Sequence, residues 1–173
     1  MPLRLLDGYL GYLMTDDYAD YNAVAARDGI ERLGCWAHAR TKFVEAQKVQ
    51  PKGKPWRAGA ALSMISKLYG FERKLKAVDD AARHAGRQQH SLPLLIQLKV
   101  WLNKAQPQVA GQMALSKAMN DLSSNWSRLV RYVEGSYLPI DNNLAENPIR
   151  LIVIDRKSWL FSDTTRPARR FTA

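Results

Sequence analysis

The 173-residue chain is short of the residues on which much small-molecule chemistry is built. It has a single cysteine, Cys35, so no internal disulfide can form, and a lone thiol fits a reducing cytoplasm. Cys35 and His38 have no second Cys or His pair at ligand spacing, which excludes a structural zinc site. There is no Gly-rich phosphate loop and no Gly-x-Ser-x-Gly, so nucleotide-hydrolysing and esterase readings find no support. The longest stretch free of Lys, Arg, Asp and Glu is residues 105–116. That is well below the roughly 20 apolar residues a membrane-spanning helix needs. Asp7 interrupts the apolar run behind Arg4, so no signal-peptide pattern is expected.

Acidic side chains are also scarce. Asp plus Glu number 16 against 26 Lys plus Arg, a net charge of +10. The excess is local: the net is −3 over residues 1–34, +11 over 35–138 and +2 over 139–173. A basic middle of this kind favours a polyanion through counterion release, although a Lys-rich solvated helical surface would read the same way. The hydrophobic fraction of 46% is that of a packed domain, so whole-chain disorder is excluded.

Residues 9–16 form a short apolar and aromatic run closing on Asp16 and Asp17, the pattern of a buried strand whose carboxyl end presents carboxylates. Residues 22–27 suit a short helix with Gly29 as its C-cap. Residues 30–36 suit a second strand and 37–47 a helix, so an α/β unit opens the chain. Cys35, at the end of that strand, reads as an inert buried thiol more than as a nucleophile. Residues 50–57, with Pro51, Gly53 and Pro55, read as a loop.

The period then changes. Met64, Leu68, Phe71, Leu75, Val78 and Ala82 make one apolar stripe on a long helix. Ser91 before Pro93 reads as an N-cap opening a helix to about Ala105, with stripe Leu94, Leu98, Trp101 and Ala105. Leu115, Met119, Leu122, Trp126, Leu129 and Val133 make a third stripe, which Ser123-Ser124-Asn125 divides. Three such stripes imply a packed helical subdomain or a seam for a partner helix.

Pro139 starts another kind of segment. Asp16 or Asp17, Asp141 and Glu146 are the acids that could hold a divalent-cation pair for attack on a phosphodiester. Asn143-x-x-Glu146 is equally a capping-box spacing, with Glu146 bonding back to the Asn143 backbone.

Three blocks together resemble the catalytic region of transposases of the insertion-sequence-66 family. The first is Tyr12-Leu13-Met14-Thr15-Asp16-Asp17-Tyr18, with Tyr21-Asn22 behind it. The second is Gly34-Cys35-Trp36-Ala37-His38-Ala39-Arg40, with Lys42-Phe43. The third is Pro139-Ile140-Asp141-Asn142-Asn143, then Glu146-Asn147, Ile149-Arg150, Arg156-Lys157 and Trp159-Leu160-Phe161-Ser162. The resemblance implies a partial ribonuclease-H-like α/β fold with a large all-helical insertion. Residues 1–48 would be the α/β unit, 49–138 the basic insertion, 139–163 the catalytic-Glu helix and basic segment, and 164–173 a divergent tail.

It further implies metal-dependent cleavage and transfer of DNA strands. Asp16 and Glu146 would be the second and third acids of an Asp-Asp-Glu triad, holding Mg²⁺ or Mn²⁺, and Glu146 can cap as well as bind metal. Asn143, Arg150, Arg156 and Lys157 would contact DNA, and Cys35, Trp36, His38 and Arg40 form the structural motif. Implied partners are element-end and target DNA, a second copy or other transposase-encoded proteins, and no membrane, in the bacterial cytoplasm at the nucleoid. The family's first Asp would precede residue 1, and Leu151, Asp155 and the tail from Thr165 depart from the family pattern. The expectation is therefore a truncated remnant, inactive by itself. The alternative is a non-enzymatic nucleic-acid-binding module that rests on the basic helical middle.

Overall fold

A computed structural model of the chain describes residues 7–14, 28–49, 57–109 and 113–143. The chain divides into two compact units, Met1–Asn142 and Asn143–Ala173, and Asn143 alone represents the second among the described residues. The first is an α/β unit dominated by helices.

Strand β1 (Gly11–Met14) and strand β2 (Ile30–Leu33) pair in parallel, in a register that sets Gly11 against Ile30 and Met14 against Leu33. Both lie within the segments read as strands. Gly29 turns into β2 at φ +85°, a left-handed conformation that glycine adopts without strain, and its carbonyl accepts the Gly11 N–H at 2.8 Å. The helix expected at residues 22–27 lies outside the described residues.

The second strand is shorter than its sequence pattern. It stops at Leu33, and helix α1 (Trp36–Lys48) starts at Trp36 with Cys35 as N-cap. Gly34 makes the corner, because an added Cβ would stand 2.9 Å from Leu129 Cδ2 and 3.0 Å from its backbone nitrogen. Only a residue without a side chain lets the strand end approach so closely.

Helix α2 (Arg57–Lys74) buries Ala58, Ala61, Ile65 and Leu68. The long stripe to Ala82 does not hold. A short 3-10 turn (Leu75–Ala77) ends the helix, Val78 is extended and 38% exposed, and Asp79 caps a new helix, α3 (Asp80–Gly86). The Asp79 carboxylate accepts the Ala82 N–H at 2.8 Å, and this side-chain capping is what outcompetes continuation of the helix.

Ser91 is likewise no N-cap. It has helical dihedrals and ends a π-helical segment (Arg87–Ser91) that joins α3 to helix α4 (Leu92–Ala105) without a break. The Leu92 N–H reaches back five residues to the Arg87 carbonyl. This wider turn accommodates Pro93, which has no N–H to donate and whose ring crowds the preceding turn.

Helix α4 buries Leu94, Leu95, Leu98, Leu102 and Ala105. A 3-10 turn (Gln106–Val109) follows, then helix α5 (Met113–Ser124), a break at Asn125, helix α6 (Trp126–Val130) and a final 3-10 turn (Arg131–Glu134). The break falls where the Ser-Ser-Asn triplet put it, and Leu115, Met119, Leu122, Leu129 and Val133 are buried as their spacing predicts. One apolar core runs from Leu33 and Trp36 through Phe43, Ile65, Leu68, Leu98, Leu102 and Met119 to Leu138 and Ile140. Each fully buried aliphatic side chain contributes roughly 1.5–3 kcal/mol of transfer free energy. No helix among the described residues is long and apolar enough to cross a membrane.

Candidate functional site

The described parts of the three sequence blocks, residues 12–14, 34–43 and 139–142, lie toward one end of the strand pair. Because β1 and β2 are parallel and Met14 faces Leu33, the chain leaves β1 at the same edge where β2 leads into Gly34 and Cys35. Parallel pairing therefore brings Met14, the last described residue of the first block, to the start of the second.

The second block is tied to the third by backbone and side-chain bonds. The Trp36 N–H donates to the Ile140 carbonyl at 3.1 Å, and the Cys35 thiol donates to Asn142 Oδ1 at 2.9 Å. The Trp36 indole N–H donates to the Leu129 carbonyl at 2.8 Å, and its fully buried ring meets Trp126 edge-on at 6.3 Å. Such neutral bonds contribute about 0.5–1.5 kcal/mol each. Tyr12 of β1 meets Tyr137 edge-on at 6.0 Å, so the first block also touches the approach to the third.

Burial pushes the Cys35 thiol up, while the backbone N–H groups of Asn142, His38 and Ala37 pull the other way. Cys35 is thus a protonated hydrogen-bond donor, in keeping with an inert thiol. Tyr69 on α2 is pushed up from its ordinary value of 10.0, first by burial and then by the Asp141 carboxyl beside it. The Arg40 charge acts on Tyr69 in the opposite sense. His38 is half-buried on the first turn of α1, and Arg40 is exposed.

Cys35, Trp36, His38 and Arg40 therefore sit together on the start of α1, with Asp141 and Asn142 brought against them. Asp16, Glu146, Arg150, Arg156 and Lys157 lie outside the described residues. Asn143 closes the described chain. Among the described residues no group of three or more His, Cys, Asp and Glu could hold a metal ion.

The residue that pattern reading missed is Arg87. It is 2% exposed and inside the fold. Its guanidinium pairs with both Glu72 carboxylate oxygens at 2.9 and 2.7 Å and donates to the Tyr132 carbonyl at 2.8 Å. It also reaches the Gly135 and Ser136 carbonyls and lies 5.2 Å from the centre of the Tyr132 ring. This one side chain ties the π segment and α2 to the stretch that leads into the third block. No local signal marks it, since its carbonyl partners lie 45 to 49 residues away.

The unit so described is an α/β chain with a large helical part, closed on the strand-end motif it carries. The family model described as "Transposase IS66 family" matches residues 1–170, and the chain belongs to that family. Three relatives, all from Sinorhizobium fredii, are themselves called uncharacterized proteins. The chain is 29% identical to y4jD over 164 residues, which are 91% of this chain and 32% of that protein. It is 29% identical to y4hP, covering 98% of this chain and 33% of the relative. It is 28% identical to y4qI, covering 92% and 30%. The chain thus spans about a third of the length of the curated relatives it matches. No solved structure matches.

Proposed function

We propose that this chain serves DNA transposition as the part of a ribonuclease-H-like strand-transfer domain that carries the second and third acids, Asp16 and Glu146. The observation that carries the reading is the family match over residues 1–170. The geometry supports it by setting Met14 beside Leu33 at the carboxyl end of the strand pair, with Cys35 and Trp36 fastened to Asn142 and Ile140.

In this reading Asp16 and Glu146 offer oxygen donors, which suit Mg²⁺ or Mn²⁺. The ion would supply activation of a hydroxyl nucleophile and neutralisation of the leaving oxygen. Asn143, Arg150, Arg156 and Lys157 hold the phosphate backbone, a task that positions DNA without reading sequence. The docked second block fixes where the third begins. The partners are element-end and target DNA, with a second copy of the chain.

In this reading the 173-residue chain binds DNA, and Glu146 serves any metal-dependent cleavage. The test incubates the purified chain with plasmid and linear duplex in Mg²⁺ or Mn²⁺ and follows binding and cleavage separately. DNA binding is the expected result, with any metal-dependent cleavage lost in Glu146→Gln. Absence of DNA binding would overturn the reading. Cleavage that survives Glu146→Gln would overturn the role given to that acid.

A further inference from the structure

We infer that a groove between α1 and α5, beginning at the carboxyl end of β2, holds the phosphodiester backbone of a single DNA strand. The inference rests on the transposition reading and adds to it Arg32, Lys117 and Arg128, which lie outside the three blocks, beside Lys42 of the second.

A cavity of about 320 Å³ opens between the end of β2, the first turns of α1 and the α5–α6 break. A second, of about 230 Å³, continues along α1 and α5. The two share Lys42, Glu45 and Asp121, so they adjoin as one track. Ligands of open α/β units bind outside the carboxyl ends of the strands, where this track starts.

Its charge selects an anion. Arg32, Lys42, Lys117 and Arg128 line it against two acids, Glu45 and Asp121. Lys42 and Asp121 pair across it at 2.8 Å, with both side chains about a third exposed. Such a solvated pair is weak, so an incoming phosphate competes with it readily. The Arg128 guanidinium is steadied by Asn125 Oδ1 at 3.0 Å, which holds one cation in place at the upper end.

Shape and lining narrow the ligand further. Cavities of a few hundred Å³ take a nucleotide unit, whereas a duplex is too wide to enter. No Phe, Tyr or Trp lines either cavity, so base stacking, the usual grip on single strands, has no platform here. What remains is contact with phosphates, indifferent to sequence.

The test measures fluorescence anisotropy of a labelled single-stranded 20-mer and of the matching duplex on the full chain, in EDTA and across a salt series. Lys42→Gln, Lys117→Gln and Arg128→Gln are combined. A control combines Lys67→Gln, Arg73→Gln and Lys74→Gln on the exposed surface of α2, with the same loss of charge. The groove variant is expected to lose at least tenfold in single-strand affinity, with the salt slope falling by about 2, since each lost contact removes about 0.7. The control is expected to lose less than threefold, and the duplex less than the single strand.

Glu45→Gln removes an exposed acid from the track and is expected to tighten single-strand binding at least twofold, a gain that misfolding cannot mimic. Equal losses in groove and control variants, or no gain from Glu45→Gln, would overturn the groove while the transposition reading stands. Equal losses for single strand and duplex would overturn the single-strand assignment. Failure of the unaltered chain to bind either DNA would overturn both readings together.

Discussion

Two of the attachments that fasten residues 131–142 to the rest of the fold use opposite kinds of chemistry. At the near end a buried cation, Arg87, holds the Tyr132, Gly135 and Ser136 carbonyls while the Glu72 carboxylate balances its charge. At the far end the bonds are neutral, with Cys35 to Asn142 and the Trp36 N–H to Ile140. The first attachment tolerates no partial loss, because removing either ion leaves the other charge stranded in a poor solvent. The second can lose one bond and keep the rest, since each contributes about 1 kcal/mol. A strong post and a weak latch thus frame the lead-in to Asn143.

The largest effect expected from breaking this asymmetry comes from Arg87→Met. It should destabilise the chain by about 3–5 kcal/mol in urea or thermal unfolding, because Glu72 then lacks its partner. Replacing both, Arg87→Met with Glu72→Leu, should recover much of that loss, since a well-packed apolar pair often matches a buried ion pair. If the double variant is no better than the single one, the carbonyl contacts and not the charge balance dominate the post.

A second prediction separates the ends by pH. Tyr132, against the Arg87 post, is pushed above its ordinary value of 10.0 chiefly by burial. The folded chain therefore keeps a proton that the unfolded chain releases as pH passes 10. Below pH 10 the group makes no difference, and above it stability should fall by up to about 1.4 kcal/mol per pH unit. Tyr132→Phe should flatten that fall when unfolding is followed between pH 9 and 11. Tyr69 and the Cys35 thiol, raised in the same direction near the latch, contribute to the remaining slope.

The smallest effect belongs to the latch itself. Cys35→Ala removes the bond to Asn142 and should cost about 1 kcal/mol. In the unaltered chain the buried, protonated thiol should react with iodoacetamide far more slowly than a free cysteine at pH 8. Rapid alkylation of the folded chain would show that the latch opens often.

The comparison also explains what the sequence revealed. The neutral end was visible as motif, because Gly34-Cys35-Trp36 and Ile140-Asp141-Asn142 are compact runs of unusual residues. Its joining of residues 107 apart was not. The charged end was invisible, since Arg87 looks like any helical arginine until its partners are folded around it. Helix stripes were legible where burial follows period, as at Leu115, Met119 and Leu122. They misled at Val78 and Ala82, where the spacing continued but the Asp79 cap ended the helix. Ser91 carried the pattern of a cap, and the π turn absorbed Pro93 instead. Asp16 and Glu146, the acids that matter most to the proposal, stand on motif and family alone.

The π segment has one more consequence, which concerns phase. Each residue of an α-helix advances the side-chain direction by about 100°. In the π turn five residues span the rotation that four span in an α-helix, so the reach from Leu92 back to Arg87 takes up one extra residue with little change of direction on either side. Deleting the exposed Gln89 is therefore expected to restore an unbroken α-helix while α3 and α4 keep nearly their present phase. Arg87 would stay on Glu72. The segment thus carries a spare residue, and the facing of the buried cation does not depend on it.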